Sequence, residues 1–162
     1  MPNGCPCGWL TDTKKRCRCH PHQIQKYMSK ISGPLLDRID IHLHVHSPKP
    51  HELLSAGTGE SSAMIKARTT ACRELQRERF AGTAIQSNAQ MDHRKTKKHC
   101  PLDSACQELL REAIERMGLS ARAHDKILKV ARTVSDIEGS ADILPQHLAE
   151  AISYRCLDRT FS

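Results

Sequence analysis

The stretch GLSARAHDKILKVART, residues 118–133, predicts the class of fold. Gly118 can end a preceding helix in the left-handed conformation, and Ser120 can cap the start of a new one. Within the new helix, apolar residues recur at the i, i+3, i+4 and i+7 spacing of an amphipathic helix; they are Ile127, Val130, Ala131 and Val134. One face of this helix must therefore pack against other helices.

Further helices are predicted on both sides of this stretch. Asp103 can cap a helix that ends at Gly118, and Pro145 can open a last helix, because proline is tolerated in a first turn. Only five of the 162 residues are aromatic, which favours the packing of helix on helix. We therefore expect a mainly α protein with a C-terminal helical bundle over residues 102–158. The predicted apolar faces are Cys106, Leu109, Leu110, Ala113, Ile114 and Met117 in the first helix, and Leu148, Ala151 and Ile152 in the last.

Nearer the N terminus the pattern changes. Pro21 opens a short amphipathic helix, and Ser32-Gly33-Pro34 ends it. Residues 39–46, IDIHLHVH, then alternate apolar and polar side chains, which is typical of a half-buried strand. A single strand does not form a sheet. Residues 1–50 are therefore interpreted as the end of an α/β domain whose other strands lie outside this chain.

Residues 51–101 are the predicted connection between these two parts. Ser61 or Ser62 can cap a helix that runs to about Phe80, and a basic run, HRKTKKH, occupies residues 93–99. Over the whole chain 25 Lys and Arg residues face 18 Asp and Glu residues, a net charge of +7. Such a charge favours a polyanionic partner, either nucleic acid or nucleotide phosphate, although it can also serve solubility alone.

Four cysteines in the N-terminal loop have the spacing C-x-C-x9-C-x-C; they are Cys5, Cys7, Cys17 and Cys19. No signal peptide and no apolar run of ~20 residues is found, so we expect a cytoplasmic protein that does not cross a membrane. Disulfides do not persist in the cytosol. Two interpretations stay open: a tetrahedral zinc site, with His20 and His22 as possible substitutes, or reduced thiols without a ligand.

Two arginines and a set of histidines have more than one interpretation. Arg122 lies in the first turn of a predicted helix, where a cation opposes the helix dipole; it either helps to hold an anion there or is a hydrated surface arginine. Arg38, between Asp37 and Asp40, is on its neighbours alone a local ion pair at a turn. The polar face of the predicted strand is either a metal patch or, more commonly, a solvated or packed face; its residues are His42, His44 and His46.

The sequence has no phosphate loop of the form GxxxxGK[ST], and no apolar run that ends in Asp-Glu. These are the parts that normally hold ATP and magnesium. We therefore expect this chain by itself to have no ATPase activity.

The motifs taken together resemble the C-terminal part of the magnesium-chelatase-like AAA+ ATPases of bacteria, in the competence-protein branch. The similarity covers nearly the whole chain, and the motifs follow the order of that family. They are NGCPCG at 3–8, CRC at 17–19, SGPLLDRID at 32–40, GESS at 59–62 and the stretch at 118–133.

The resemblance implies a place for each motif in a ring-forming ATPase. The chain would begin at the end of the sensor-1 strand and run through the helical lid. The sensor-1 asparagine would be Asn3, although Gly4 stands where the family has a proline; the arginine finger would be Arg38, and the sensor-2 arginine would be Arg122. The four-cysteine loop also recurs in the family, which favours zinc.

The resemblance also implies ligands and partners. ATP and magnesium would bind only in a complete ATPase, and the partners would be other AAA+ subunits of a homo-oligomeric ring, with DNA as a possible substrate. The alternative is a non-enzymatic, zinc-binding basic adaptor that binds nucleic acid or a partner protein.

Overall fold

The computed structural model of this protein describes residues 4–10, 15–30, 33–43, 45 and 59–155. The described residues fall into two compact units. The first unit lies within Met1–Arg38 and Leu43–Thr58, and the second lies within Ile39–His42 and Gly59–Ser162.

The first unit contains the cysteine loop and two short helices, α1 (Pro21–Met28) and α2 (Gly33–Leu36). Pro21 occupies the first turn of α1, and the backbone N–H of His20 donates to the side chain of Gln23 at 2.9 Å. The helix predicted from Pro21 is confirmed. The apolar stripe predicted for this helix is Ile24, Tyr27, Met28 and Ile31. The first three are half-buried, and Ile31 lies outside the described residues.

The strand predicted over residues 39–46 is not formed by residues 39–43 and 45, the part of it that the structure describes. Alternation marks an extended, half-exposed segment, but a strand also needs a neighbouring strand with which to share hydrogen bonds. Here the backbone N–H of His42 donates to the carbonyl of Tyr154 at 2.7 Å, and the guanidinium of Arg155 donates to the carbonyl of Ile39. The segment is thus held by the end of a helical unit, and the described residues are mainly α.

The second unit consists of α3 (Ser62–Arg79), a 3-10 turn (Asn88–Gln90), α4 (His93–His99), α5 (Ser104–Met117), α6 (Ala121–Ile137) and α7 (Pro145–Ser153). The predicted N-caps are confirmed, because the side chains of Ser61, Asp103 and Ser120 each accept a backbone N–H of the following turn. Gly118 ends α5 with φ at +61°, a conformation that costs glycine nothing. Helix α4 was not predicted, because residues 93–99 have no apolar periodicity.

The core of the second unit lies where α6 packs against α3, α4 and α7, and where α5 packs against α7. The apolar faces predicted for α5, α6 and α7 are confirmed: their members are buried or half-buried. Phe80, Met91 and Cys100 belong to the same core, so residues 59–101 supply part of it. The division at residues 101 and 102 stays a prediction. The buried cluster is Phe80, Met91, Cys100, Cys106, Leu110, Ile127, Leu128, Ala131, Ile143, Leu148 and Ala151.

Candidate functional site

The N terminus of α6 opens onto a cleft of about 670 Å³. Ser120 caps the helix by accepting the N–H of Ala123 at 3.1 Å, and Arg122 follows within the first turn. The unsatisfied N–H groups of a helix N terminus carry partial positive charge, which favours an anion. The charged and titratable side chains that line the cleft are His93, Arg122, His124, Asp125, Lys126 and Lys129.

One carboxylate in the cleft is shared by two histidines. Nδ1 of His93 lies 2.9 and 3.1 Å from the two carboxylate oxygens of Asp125, and Nδ1 of His124 lies 3.1 Å from one of them. Partial burial raises the pKa of Asp125, but the hydrogen bonds to His93 and His124 outweigh it and hold that pKa below its usual value. The carboxylate is therefore engaged with the histidines, and Arg122 and Lys129 add positive charge to the cleft.

A second contact joins residues 39–42 to α6. Nζ of Lys126 lies 2.6 Å from a carboxylate oxygen of Asp40, and the side chain of Lys126 is 14% exposed. Since Asp40 belongs to the same unit as α6, this ion pair fixes the segment beside the helix start that carries Arg122.

The far end of α6 is held by a buried polar network. The carboxylate of Asp136 accepts from Arg79 of α3, from Nε of Arg132 at 3.0 Å and from Nδ2 of Asn88 at 2.8 Å. Arg132 also donates to the carbonyls of Ser140 and Ala141, each at 2.7 Å. Since the cap at one end and this network at the other fix α6, the position of Arg122 is set by the fold of the second unit. Sequence reasoning missed these residues; the i, i+4 spacing of Arg132 and Asp136 was the only local signal.

The four cysteines of the N-terminal loop come together. Sγ of Cys5 lies 3.4 Å from Sγ of Cys7 and 3.6 Å from Sγ of Cys17, and Cys7 and Cys17 are 3.6 Å apart. All four sulfurs, with that of Cys19, lie within 4.8 Å of one another. A tetrahedral zinc ion at about 2.3 Å from each sulfur would hold the sulfurs about 3.8 Å apart, so the cluster has the size of a metal site.

The backbone around the cluster favours thiolate. Backbone N–H groups of Trp9 and Arg18 donate to Cys7 and lower its pKa to about 6, although desolvation opposes them. The pKa of Cys17 is raised to about 12: the N–H of Cys19 lowers it, but desolvation and the neighbouring thiols outweigh that effect. Of these two thiols, Cys7 is the one whose ionisation the surrounding backbone favours. A cation supplies the charge that allows all four to ionise.

The other predicted site residues lie in different places. Arg38 follows α2 in the first unit, is exposed, and donates from Nη1 to the carbonyl of Pro34 at 3.2 Å. Arg122 lies in the second unit. Asn3 lies outside the described residues. His44 and His46 also lie outside them, and His42, the third histidine of the predicted face, is buried. Among the helices of the described ranges, none is long and apolar enough to span a bilayer.

Comparison with known families gives two adjacent matches. Residues 1–53 match the family model described as magnesium chelatase, subunit ChlI, and residues 59–155 match the one described as magnesium chelatase, subunit ChlI C-terminal. The second match contains the cleft, and the first contains the cysteine cluster.

Three curated relatives cover most of this chain. It is 42% identical over 143 residues to the uncharacterized protein YifB of Salmonella typhimurium, and equally so to YifB of Escherichia coli; each alignment covers 88% of this chain and 28% of the relative. It is 37% identical over 158 residues to the competence protein ComM of Haemophilus influenzae, which covers 97% of this chain and 30% of ComM. The chain thus spans less than a third of the length of these relatives.

Proposed function

Because this chain belongs to the magnesium chelatase ChlI family, we propose that it acts as the C-terminal portion of an AAA+ ATPase, a ring motor that works on DNA. In this proposal residues 1–50 complete the ATPase core and residues 102–158 are the helical lid. The chain supplies sensor and arginine-finger residues and is inactive alone, because the phosphate loop and the magnesium ligands are missing from its sequence. ATP and magnesium bind only in the complete enzyme.

The observation that carries the proposal is the position of Arg122. It lies in the first turn of α6, beside a positive cleft large enough for the phosphates of a nucleotide. A fixed guanidinium that meets charge developing on the γ-phosphate stabilises the transition state more than the ground state. Arg122 is therefore proposed as the sensor-2 residue, which acts on the nucleotide of its own subunit.

Arg38 and Asn3 are proposed to complete the catalytic set. Arg38 is exposed at the end of α2, where it can be offered to the nucleotide of a neighbouring subunit as an arginine finger. Such fingers accelerate phosphoryl transfer by roughly 10³–10⁵-fold in well-studied systems. Asn3 is proposed as the sensor-1 residue, which orients the attacking water. The partners would be further copies of the complete protein in a ring.

The cysteine cluster is proposed to hold zinc. Its four sulfurs fit the dimensions of a tetrahedral site, and backbone N–H groups already point at them, as expected around a bound thiolate. Zinc would act as a structural cross-link, without a part in hydrolysis. Cys5, Cys7, Cys17 and Cys19 would hold the loop that follows Asn3.

The test is ATP turnover by a complete relative and by this chain. The complete protein should hydrolyse ATP, and replacement of the arginine equivalent to Arg122 by alanine should lower kcat by at least tenfold. This chain alone should show no turnover. Turnover by the pure chain that is lost on Arg122→Ala would contradict the proposal.

A second function is favoured by the cysteine cluster and the net charge of +7. In that case the chain is a zinc-binding, basic adaptor without enzymatic activity. The same measurement of ATP turnover separates the ATPase from the adaptor. If the chain is an adaptor, replacing the residues equivalent to Arg38 or Arg122 in a complete relative leaves ATP hydrolysis unchanged.

A further inference from the structure

We propose that the exposed face of α4, formed by Arg94, Lys97 and Lys98, docks against the phosphates of a nucleic-acid duplex. The inference rests on the proposed function for its choice of DNA as the duplex. It adds a contact surface on residues 51–101, outside the proposed lid, and none of its three residues is assigned to ATP hydrolysis. The three positions are spaced i, i+3 and i+4, so they share one face of the helix.

The platform that carries these cations is fixed at several points. Asp92 caps α4 by accepting the N–H of Lys95 at 2.7 Å, and Thr96, 1% exposed, points into the core and donates to the carbonyl of Asp92 at 2.9 Å. At the two ends, His93 contacts Asp125 of α6, and the ring of His99 packs edge-on against Phe80 with centroids 5.3 Å apart. The backbone is thus pre-ordered, and only side chains need to order on binding.

The cations of this face form no ion pair within the described ranges, although the charge of Arg94 helps to lower the pKa of Asp92. Helix α4 contains no acidic residue, and no carboxylate forms an ion pair with Arg94, Lys97 or Lys98 there. The nearby carboxylates are engaged elsewhere: Asp92 with Lys95 and Asp125 with His93 and His124.

Two exposed arginines on other helices, Arg68 and Arg111, differ in this respect. Arg111 of α5 lies between Glu108 and Glu115, with a distance of 2.7 Å to Glu115, and Arg68 of α3 is paired with Glu60 at 2.6 Å. Their positive charge is neutralised locally. Helices α3 and α5 contain glutamates among their cations, whereas α4 contains no acidic residue.

The composition of the face indicates which polyanion it fits. Protein interfaces are built around apolar and aromatic anchors and are poor in lysine. The exposed positions of α4 carry no apolar side chain, and three of the four are Arg94, Lys97 and Lys98. Binding to single strands uses aromatic side chains on which bases stack, and this face has none. Three cations alone suit the sequence-independent phosphate contacts of a duplex.

The test compares two variants with equal loss of charge. In the first, Arg94→Gln, Lys97→Gln and Lys98→Gln are combined; in the matched control, Arg68→Gln, Arg111→Gln and Arg116→Gln remove three exposed cations from α3 and α5. Binding of a short labelled DNA duplex is followed by fluorescence anisotropy between about 50 and 200 mM salt. We expect the α4 variant to bind on the order of 100-fold more weakly at about 0.1 M salt, and the slope of log K against log salt to fall by up to about 2.7. The control should stay within a few-fold of the intact chain.

Three outcomes would overturn the inference: equal loss in both variants, no duplex binding by the intact chain, or tighter binding to a poly-glutamate peptide than to the duplex. A charge-preserving variant, Arg94→Lys with Lys97→Arg and Lys98→Arg, should bind the duplex as tightly as the intact chain. Weaker binding by this variant would also contradict a phosphate contact. As a folding control, the thermal unfolding of each variant, followed by circular dichroism, should match that of the intact chain. ATP turnover is not measured in these binding experiments. A negative result would therefore contradict the duplex-binding inference without contradicting the ATPase proposal.

Discussion

Arg79 at the end of α3 and Asp136 near the end of α6 form a two-pronged ion pair between positions 57 residues apart in the chain. Nη1 of Arg79 lies 2.6 Å from Oδ2 of Asp136, and Nη2 bonds Oδ1. The side chain of Asp136 is 1% exposed, and Arg132 and Asn88 also donate to it. A carboxylate offers about four acceptor positions, so these donors satisfy it.

Removal of the buried carboxylate should destabilise the second unit strongly. Asp136→Ala leaves Arg132, which is 4% exposed, without its charged partner, and such a broken buried pair costs roughly 3–5 kcal/mol. Urea unfolding followed by circular dichroism measures the loss. Glu115→Ala, which breaks the exposed pair with Arg111, is the control and should change the midpoint little. Equal midpoints for the two variants would show that the network contributes no stability.

The cysteine cluster should bind one zinc ion per chain. Cys17→Ser should lower the zinc content of protein purified under reducing conditions and disorder the loop around residues 4–10 and 15–19. The helices of residues 59–155 should persist, because they form a separate unit. Elemental analysis and amide NMR spectra are the measurements. Cys72→Ser, in a buried free cysteine of α3, is the control and should keep its zinc. Absence of metal from the intact chain would exclude the zinc site.

The two proposed catalytic arginines should differ in subunit-mixing experiments on a complete relative. The equivalents of Arg38→Ala and Arg122→Ala should each depress ATP hydrolysis. Mixing with subunits that carry an intact finger but a dead phosphate loop should rescue the Arg38 variant, because a finger acts on the neighbour's nucleotide. The Arg122 variant should not recover, because its arginine serves its own subunit. Equal rescue of both variants would contradict the assignment.

The cap of α5 should make stability depend on pH in the acid range. The backbone N–H of Cys106, 2.7 Å from the carboxylate of Asp103, lowers the pKa of that group below its usual value, and a hydrogen bond to the thiol of Cys106 adds to this. A lowered folded-state pKa means that the ionised cap stabilises the helix fully above about pH 4 and is lost as the pH falls further. Asp103→Asn keeps a capping side chain that does not titrate.

Urea unfolding of the intact chain and of Asp103→Asn at about pH 6 and about pH 3 measures this effect. The stability advantage of the intact chain at the higher pH should shrink or reverse at the lower one. A difference that is the same at both values would show that Asp103 is not an ionised cap.

The helices of the second unit were largely predictable because their signals are local. Ser120, Asp103 and Gly118 act within one turn of their own position, and the apolar stripes repeat along a single helix. Helix α4 lacks such a stripe. It is held by the burial of Thr96 and Cys100 against other parts of the chain, which no local pattern encodes.

The candidate site was predictable in part for the same reason. The place of Arg122 at a helix start follows from neighbouring residues, and the cysteine spacing indicates a cluster. The contacts of His93 with Asp125 and of Arg79 with Asp136 join residues 32 and 57 positions apart, so they appear only in the folded chain. The alternation over residues 39–46 predicted a strand, which residues 39–43 and 45 do not form. The backbone N–H of His42 instead donates to the carbonyl of Tyr154 at the end of a helix.

Among the residues that the structure describes, helix α3 is buried against the second unit only in its C-terminal half. The exchange rates of its amide hydrogens should therefore fall from its first turn to its last. Residues 62–71 are exposed on every side of the helix, whereas Cys72, Gln76 and the following Phe80 are buried against the second unit. The first turns can therefore open to solvent while the core stays folded, and their amides should exchange quickly with deuterated water. Amides near Gln76 can exchange only when the contacts between Arg79 and Asp136 break, so their slow exchange reports the opening of the whole unit.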